Sequence, residues 1–455
     1  MELAQELLEI ITDPSRISTN LTIREQHGQD VSYHLPKLPD VVVYPQDKQE
    51  VSKILQFANE RAIPVIPFGV GSSLEGHIIP AQGGITIDMT LMNQIIEIRP
   101  EDFLVKAQPG VTRNQLNKAL QAYGLFFPVD PGADATIGGM AATNASGTNA
   151  VRYGVMRDQV KGLEVVLADG TVIHTGGMSM KSSAGYNLTG LFVGSEGTLG
   201  VFTEITLKVY GIPETTIAAR AVFPDIGTAT QAATAIISSG VAIGKVELVD
   251  DFTIDAVNQY KGTAYEPLPT LFLEFSGHKA SVDEESSLVK EILQSEGCVN
   301  IQFEKDSKAR AQLWEARHQV AMAILAKAPG KRLMSTDVCV PLSQLPGALV
   351  QARQILSSYQ LVAGLLGHVG DGNYHASILI DPNDMHEVEN AEIAHEEIVR
   401  YALGCGGTCT GEHGVGMGKK QYLSEEHGAE AVAVMKLIKG SLDPKRILNP
   451  GKILS

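Results

Sequence analysis

The stretch PFGVGSSLEGH, residues 67–77, closes the apolar run IPVIPF and then sets three glycines and two serines in quick succession. Glycine at a strand end lets backbone N–H groups approach an anion, and consecutive N–H groups form a concavity that suits a phosphate. Two more segments share this texture, DPGADATIGGMAATNASGTNAVRYG (130–154) and GLFVGSEGTLGV (190–201). Any one of them also reads as turns in a glycine-rich chain. Three together, with the short polar side chains of Ser72, Ser73, Thr136, Thr143, Asn144 and Ser146, point to a large phosphate-bearing cofactor. The usual dinucleotide signatures are missing: Leu74 stands where Gly69-x-Gly71 would need a third glycine, and no Gly-Lys-Ser or Gly-Lys-Thr occurs.

At 455 residues the chain calls for two or three domains. With 44% hydrophobic and 5% aromatic residues and 45 glycines it is globular and loop-rich. The 36 basic against 52 acidic residues give a net charge of -16, which opposes nucleic acid and anionic lipid as partners. No apolar window reaches membrane-spanning length, and the opening MELAQELLEIITDPS is an acidic amphipathic helix without the basic flank of a signal peptide. A cytoplasmic protein, at most peripheral to a membrane, is expected. Four cysteines, at 298, 339, 405 and 409, are too few for a disulfide framework, and CGGTC reads as plain buried thiols.

Between 40 and 210, short apolar runs bounded by Gly, Pro and Asp read as strands: VVVY, IPVIPF, GITIDM, QIIEIRP, FLVKAQPG, LEVVLADGTVI and LGVFTEITLKV. Two helices interrupt them, EVSKILQFANER and TRNQLNKALQAYG, the second stopped by Gly124. After YGIPE the pattern becomes a longer alternation of helix and strand, including one long helical stretch, DSKARAQLWEARHQVAMAILAKA. The expected division is an N-terminal helical segment (1–35), a cofactor domain (36–214), a second α/β domain (215–405) and a C-terminal segment (406–455). No repeat of solenoid length is present.

The series PFGVGSSLEGH, DPGADATIGGMAATNASG, GLFVGSEGTLGVFTEITLKV and LDPKRILNPGKI resembles the FAD-linked oxidoreductases of the vanillyl-alcohol-oxidase and para-cresol-methylhydroxylase fold, over nearly the whole chain. Within that group it most resembles the D-2-hydroxyacid dehydrogenases, which include cytochrome-type D-lactate dehydrogenase, D-2-hydroxyglutarate dehydrogenase and the glycolate oxidase D subunit. The resemblance implies an α+β fold: a two-subdomain FAD-binding domain, a ferredoxin-like α/β cap, and a C-terminal tail returning to the flavin. Carried onto matching positions, Gly69, Gly71, Ser72 and Ser73 would wrap the pyrophosphate, with Pro67 and Gly76 also binding the cofactor. Pro131, Gly132, Thr136, Gly138, Gly139, Thr143, Asn144, Ser146, Gly147 and Gly154 would line the rest of the cofactor. Glu196, Gly197, Gly200 and Val201 would lie near the adenosine half, with Asn449 in the returning tail. Some relatives attach flavin covalently through a histidine near His77. Here His77 ends SSLEGH without their Gly-Gly-His arrangement, and non-covalent FAD is expected.

Most of the twelve histidines need no function. GHVGDGNYH (367–375) is different, since it links the apolar strands LVAGLL and ASILI and places His368 and His375 where a sheet edge opens into a loop, while GEHGVGMGKK adds Glu412 and His413. Two imidazoles and a carboxylate with open positions would make a catalytic metal site, although a seven-residue separation is not the helical zinc motif, and the spacing alone also allows a tight turn with incidental histidines. The resemblance implies that His368, His375 and Glu412 bind zinc or a similar divalent ion and that His413 is the base. It further implies oxidation of an alcohol next to a carboxylate, with the hydride passing to flavin N5.

The substrate carboxylate calls for a cation, and LWEARHQ places Trp314 and Arg317 at i, i+3 on one helix, matching a W-x-x-R motif of the family. Relatives that oxidise D-2-hydroxyglutarate carry threonine, lysine and asparagine where this chain has Ala321, Ser335 and Ser377, while STDVCVP (335–341) resembles the D-lactate version. A small monocarboxylate, D-lactate, is therefore the expected substrate. Glycolate oxidation as a flavin subunit is the alternative, and a zinc hydrolase the alternative of another class. The iron-sulfur cysteine pattern is absent, so electrons would leave to a separate acceptor: a quinone, cytochrome, electron-transfer flavoprotein or iron-sulfur subunit. A homodimer is compatible with the sequence.

Overall fold

The computed structural model describes residues 2–454. The chain forms two compact units, one of Met1–Ser146, Gly154–Ile212 and Glu412–Ser455, the other of Gly147–Tyr153 and Pro213–Gly411. Residues 2–35 thus lie in the first unit, and Gly147–Tyr153 in the second.

In the first unit, Val41–Val43, Ile85–Asp88 and Val65–Phe68 form a parallel core of three strands, with Ile17–Ser18 antiparallel on the outer edge. The helix Lys48–Arg61 makes the crossover. Asp47 caps it by accepting from the N–H of Glu50, and Ala62 ends it in a left-handed conformation. Its Val51, Ile54, Leu55 and Ala58, spaced three to four apart, are fully buried against Val41, Val43, Val65, Ile85 and Ile87. Val51, Ile54 and Leu55 each contribute about 1.5–3 kcal/mol by leaving water. Ile447 and Leu448 join the same core: the N–H of Val65 donates to Ile447, and that of Asn449 to Val65, at 2.8 Å each. A second sheet is antiparallel, ordered Ile95–Arg99, Leu104–Ala107, Val201–Lys208, Val160–Val166, Val172–Gly176. Gly124, at φ 66°, ends the helical run begun at Arg113.

The second unit is built on one sheet whose pairs are all antiparallel. Its first four strands in sequence, Thr215–Val222, Lys245–Val249, Thr270–Gly277 and Asn300–Glu304, lie in the order 4-1-3-2, with helices Ile226–Ser238 and Lys279–Ser295 as the two crossovers. That is the ferredoxin-like arrangement. Ala363–Gly367, Asn373–Ile380 and Arg332–Ser335 extend it beyond Lys245–Val249. The stretch expected as one long helix is two, Ser307–His318 and Val320–Lys327, because Gln319 (φ -92°, ψ 10°) leaves helical geometry. The turn lets Leu313, Trp314, Val320, Ala323 and Ile324 reach one apolar cluster with Ile254 and Val257.

Cys298, Cys339 and Cys405 are free thiols, all partly buried, and burial pushes the Cys339 pKa up to about 12; Cys409 is buried. Among the described residues no helix is long and apolar enough to cross a membrane.

Candidate active site

In the first unit the three glycine-rich loops wall a cavity of about 1240 Å³, open mouth included. Pro67, Gly69, Gly71, Ser72, Ser73 and His77 come from the first loop, Pro131, Thr136, Gly138, Gly139, Thr143 and Ser146 from the second, and Glu196, Gly197, Gly200 and Val201 from the third. Close approach explains the glycines: a Cβ at Gly69 would collide with Thr136 Oγ1, at Gly138 with Pro109, and at Gly197 with Pro67. Gly76, Gly132, Asn144 and Gly154 lie outside the lining. The three glycines serve turns, with φ of 73°, 79° and 79°. Gly147 belongs to the second unit. Phe68, Leu74, Ile78, Met89, Met140 and Phe202 add apolar walls that suit a ring system.

The remaining wall comes from late in the chain, where Glu412, His413 and Asn449 line the same cavity. Glu196, itself left-handed at φ 52°, accepts the N–H groups of Val415 (2.7 Å) and Gly416 (2.9 Å), and Met417 N–H donates to the Glu75 carbonyl (2.8 Å). Ser146 Oγ donates to Glu412 at 2.7 Å. Asn449, also left-handed, donates from Nδ2 to the carbonyls of His77 (2.9 Å) and Glu196 (2.7 Å). Glu196 and Asn449 thus spend these hydrogen bonds on holding the returning segment. Asn449 Oδ1 is buried without a hydrogen-bond partner among the described residues, an acceptor left for a bound group.

Two buried basic side chains back this wall. Burial pulls the His77 pKa down, but the Glu196 carboxylate 3.4 Å away, with Glu75 and Asp30 behind it, outweighs that and raises the imidazole above its ordinary value. Lys452, whose Nζ donates to the Ile79 carbonyl at 2.6 Å, is lowered by burial to about 8. Neither Lys452 nor the fully buried Lys419, 3.1 Å from Glu75, stands out in the sequence.

In the second unit, Ala363–Gly367 and Asn373–Ile380 form a hairpin within the sheet, and Leu366 pairs with His375. His375 therefore sits inside a strand, not in the loop expected for it, because Asn373 already re-enters the ladder. His368, two residues past Leu366, projects on the same side, and the two imidazoles stand 5.7 Å apart at 85°. The glycines make the turn possible: a Cβ at Gly372 would collide with the Val340 carbonyl, and at Gly367 with that of Asn373. His375 Nδ1 faces the Thr336 carbonyl at 3.1 Å, and His368 Nδ1 faces Glu247 at 2.7 Å. A carbonyl or carboxylate can only accept, so both rings carry their proton on Nδ1 and would meet an ion through Nε2.

Trp314 and Arg317 are both buried on Ser307–His318. The Trp314 ring lies 4.4 Å from Lys245 Nζ, and Arg317 donates to Glu247 at 2.6 Å. Trp314 Nε1 and Arg317 Nε are buried without hydrogen-bond partners among the described residues. Glu247 and Asp337, the latter fully buried and accepting from Asn373 and Thr410 at 2.8 Å each, escape a reading of the sequence. The only signal for Glu247 is a charge in the middle of the short strand KVELV.

The family model described as FAD linked oxidases, C-terminal domain, matches residues 212–453, and that described as FAD binding domain matches 39–176. A probable mitochondrial D-lactate dehydrogenase of Danio rerio is 47% identical over 98% of this chain and 90% of its own length. A mitochondrial D-lactate dehydrogenase (cytochrome) of Arabidopsis thaliana is 43% identical over 100% of this chain and 80% of its own. Among solved structures, p-cresol methylhydroxylase superposes with a TM-score of 0.82 at 18% identity, covering 100% of this chain and 96% of that one, a likeness of fold. The matches explain the glycine loops, which a hydrolase would leave without a ligand.

Proposed function

This chain belongs to the FAD-linked oxidases, and from that premise we propose that it oxidises D-lactate to pyruvate, assisted by zinc or a similar divalent ion, and passes the electrons to a separate acceptor such as a cytochrome. The observation that carries the reading is the His413 imidazole and Glu412 carboxylate lining the same cavity as the glycine loops. The relatives named for D-lactate support the substrate.

When bound, FAD supplies the two-electron acceptor, and the ion a Lewis acid for the substrate hydroxyl. The glycine loops hold FAD without a covalent bond, and Asn449 Oδ1 accepts from it. Neutral His413 takes the hydroxyl proton, and the Glu412 carboxylate, 3.9 Å from Nε2, favours the imidazolium that results. His368 and His375 would offer Nε2 to the ion, and Glu412 is taken as a third ligand on the family resemblance alone; imidazole and carboxylate suit zinc. The unpartnered N–H groups of Trp314 and Arg317 receive the substrate carboxylate. Ser335 and Ser377 sit directly opposite each other across neighbouring strands and offer hydroxyls where a second carboxylate would need a cation, which favours a monocarboxylate.

An anaerobic screen tests this reading: purified protein is mixed with D-lactate, L-lactate, glycolate and D-2-hydroxyglutarate, and bleaching of the visible flavin band is followed. D-lactate is expected to bleach it fastest. A protein that D-lactate leaves yellow while glycolate bleaches it would overturn the substrate.

A further inference from the structure

The register of the second unit sets Glu247 beside His368. Leu248 pairs with Gly367 and Val249 with Leu366, so one more step along the same antiparallel ladder brings Glu247 opposite His368. The Glu247 side chain is 1% exposed. One oxygen lies 2.7 Å from His368 Nδ1, and the other lies 2.9 Å from the same nitrogen and 2.6 Å from Arg317 Nη2. A carboxylate this deep needs a compensating charge, which Arg317 supplies, and each partner fixes the orientation of the other.

We propose that Glu247 is a positioning residue that ties the imidazole meant for the metal to the guanidinium meant for the substrate carboxylate, and so fixes the separation at which hydroxyl and carboxylate are read. The proposal rests on the assignment of His368 to the metal and Arg317 to the substrate. By accepting the Nδ1 proton, Glu247 turns the Nε2 lone pair of His368 away from itself and raises its basicity. By holding Nη2 it fixes the plane of the guanidinium, whose Nε is one of the buried donors without a partner. A 2-hydroxy acid carries its two oxygen functions on adjacent carbons. One rigid carboxylate behind both recognition groups selects for that spacing against an acid whose hydroxyl lies one carbon further out.

The test compares wild type with Glu247→Gln, both flavin-loaded and stripped of metal with a chelator, by calorimetric titration with zinc chloride and by steady-state kinetics on D-lactate and D-3-hydroxybutyrate. Glutamine places an N–H against either Nδ1–H or Arg317, so one link breaks. The expected result is zinc binding weakened about 10–100-fold, a raised KM for D-lactate, and a smaller preference for D-lactate over the 3-hydroxy acid, with flavin content unchanged. Should Glu247→Gln not fold, Glu247→Asp, which keeps the charge but withdraws it by one methylene, is read in the same way. Wild-type zinc affinity and unchanged substrate preference in the folded variant overturn the proposal while leaving the metal assignment standing. A wild-type protein that binds no zinc and turns over undiminished after chelation removes the assignment itself, and this proposal with it.

Discussion

The Glu196 carboxylate lies 3.4 Å from Nε2 of His77, with both side chains buried. That carboxylate raises the pKa of the ring and so works against the neutral imidazole whose lone pair a covalent bond to the flavin would need. Denaturing the protein in acid or detergent is therefore expected to release all of its FAD. Yellow colour that stays with the precipitated chain would contradict this.

Glu196→Gln removes the charge that holds Val415, Gly416 and His77 together. Hydrogen bonds to a charged group are worth about 1.5–3 kcal/mol each, so the variant should lose about 2 kcal/mol of stability and bind FAD more weakly, read by denaturant unfolding and by flavin retained after gel filtration. The His77 contribution is present below about pH 6.5, its unfolded value, and is lost as pH rises through its higher folded value. In the variant that dependence should flatten.

Lys452 has the opposite sign. Its pKa is lowered by burial to about 8, against 10.5 ordinarily, so the folded chain binds fewer protons than the unfolded one between those values. Stability therefore rises with pH across that window, by ~3 kcal/mol in all, and the gain is lost as pH falls through 8. Subtracting the unfolding free energies of Lys452→Met from those of wild type at intervals across the window should isolate this slope; a difference independent of pH would show that Lys452 titrates normally.

His413→Ala is expected to keep its flavin, because the glycine loops remain, and to lose about 10²–10⁴-fold in the rate of flavin reduction by D-lactate. A colourless variant would instead place His413 among the groups that retain FAD. Chelation of wild type should likewise cut turnover without removing colour, and zinc should restore it.

Gly372 has φ 88° and no room for a Cβ beside the Val340 carbonyl. Gly372→Ala should destabilise the protein by about 1–3 kcal/mol and lower its melting temperature; an unchanged melting temperature would mean that the hairpin turn relaxes freely.

The parts of the site that glycine builds were legible, because close approach and left-handed backbone leave few other residues to choose from. Gly69, Gly138 and Gly197 could be picked out by eye, and all line the cavity. Glu247 could not, since its partners lie 70 and 121 residues further along, and only the pairing of two strands and the packing of one helix bring them together. The break at Gln319 was hidden for a similar reason: the apolar pattern runs through it, and tertiary packing, not local propensity, decides where the helix turns. Alternation of helix and strand after 215 suggested α/β layers, but spacing does not distinguish a parallel crossover from the antiparallel 4-1-3-2 order found here.

The seam between Glu196 and residues 415–416, locked by Asn449, also constrains the order of events during synthesis. A ribosome that has delivered residues 1–212 has made every glycine loop, yet the wall bearing His413 and Asn449 is still unmade, with most of the second unit to be translated first. Chains ending before residue 412 lack the wall that carries Asn449 Oδ1, and are expected to retain less FAD than the whole chain.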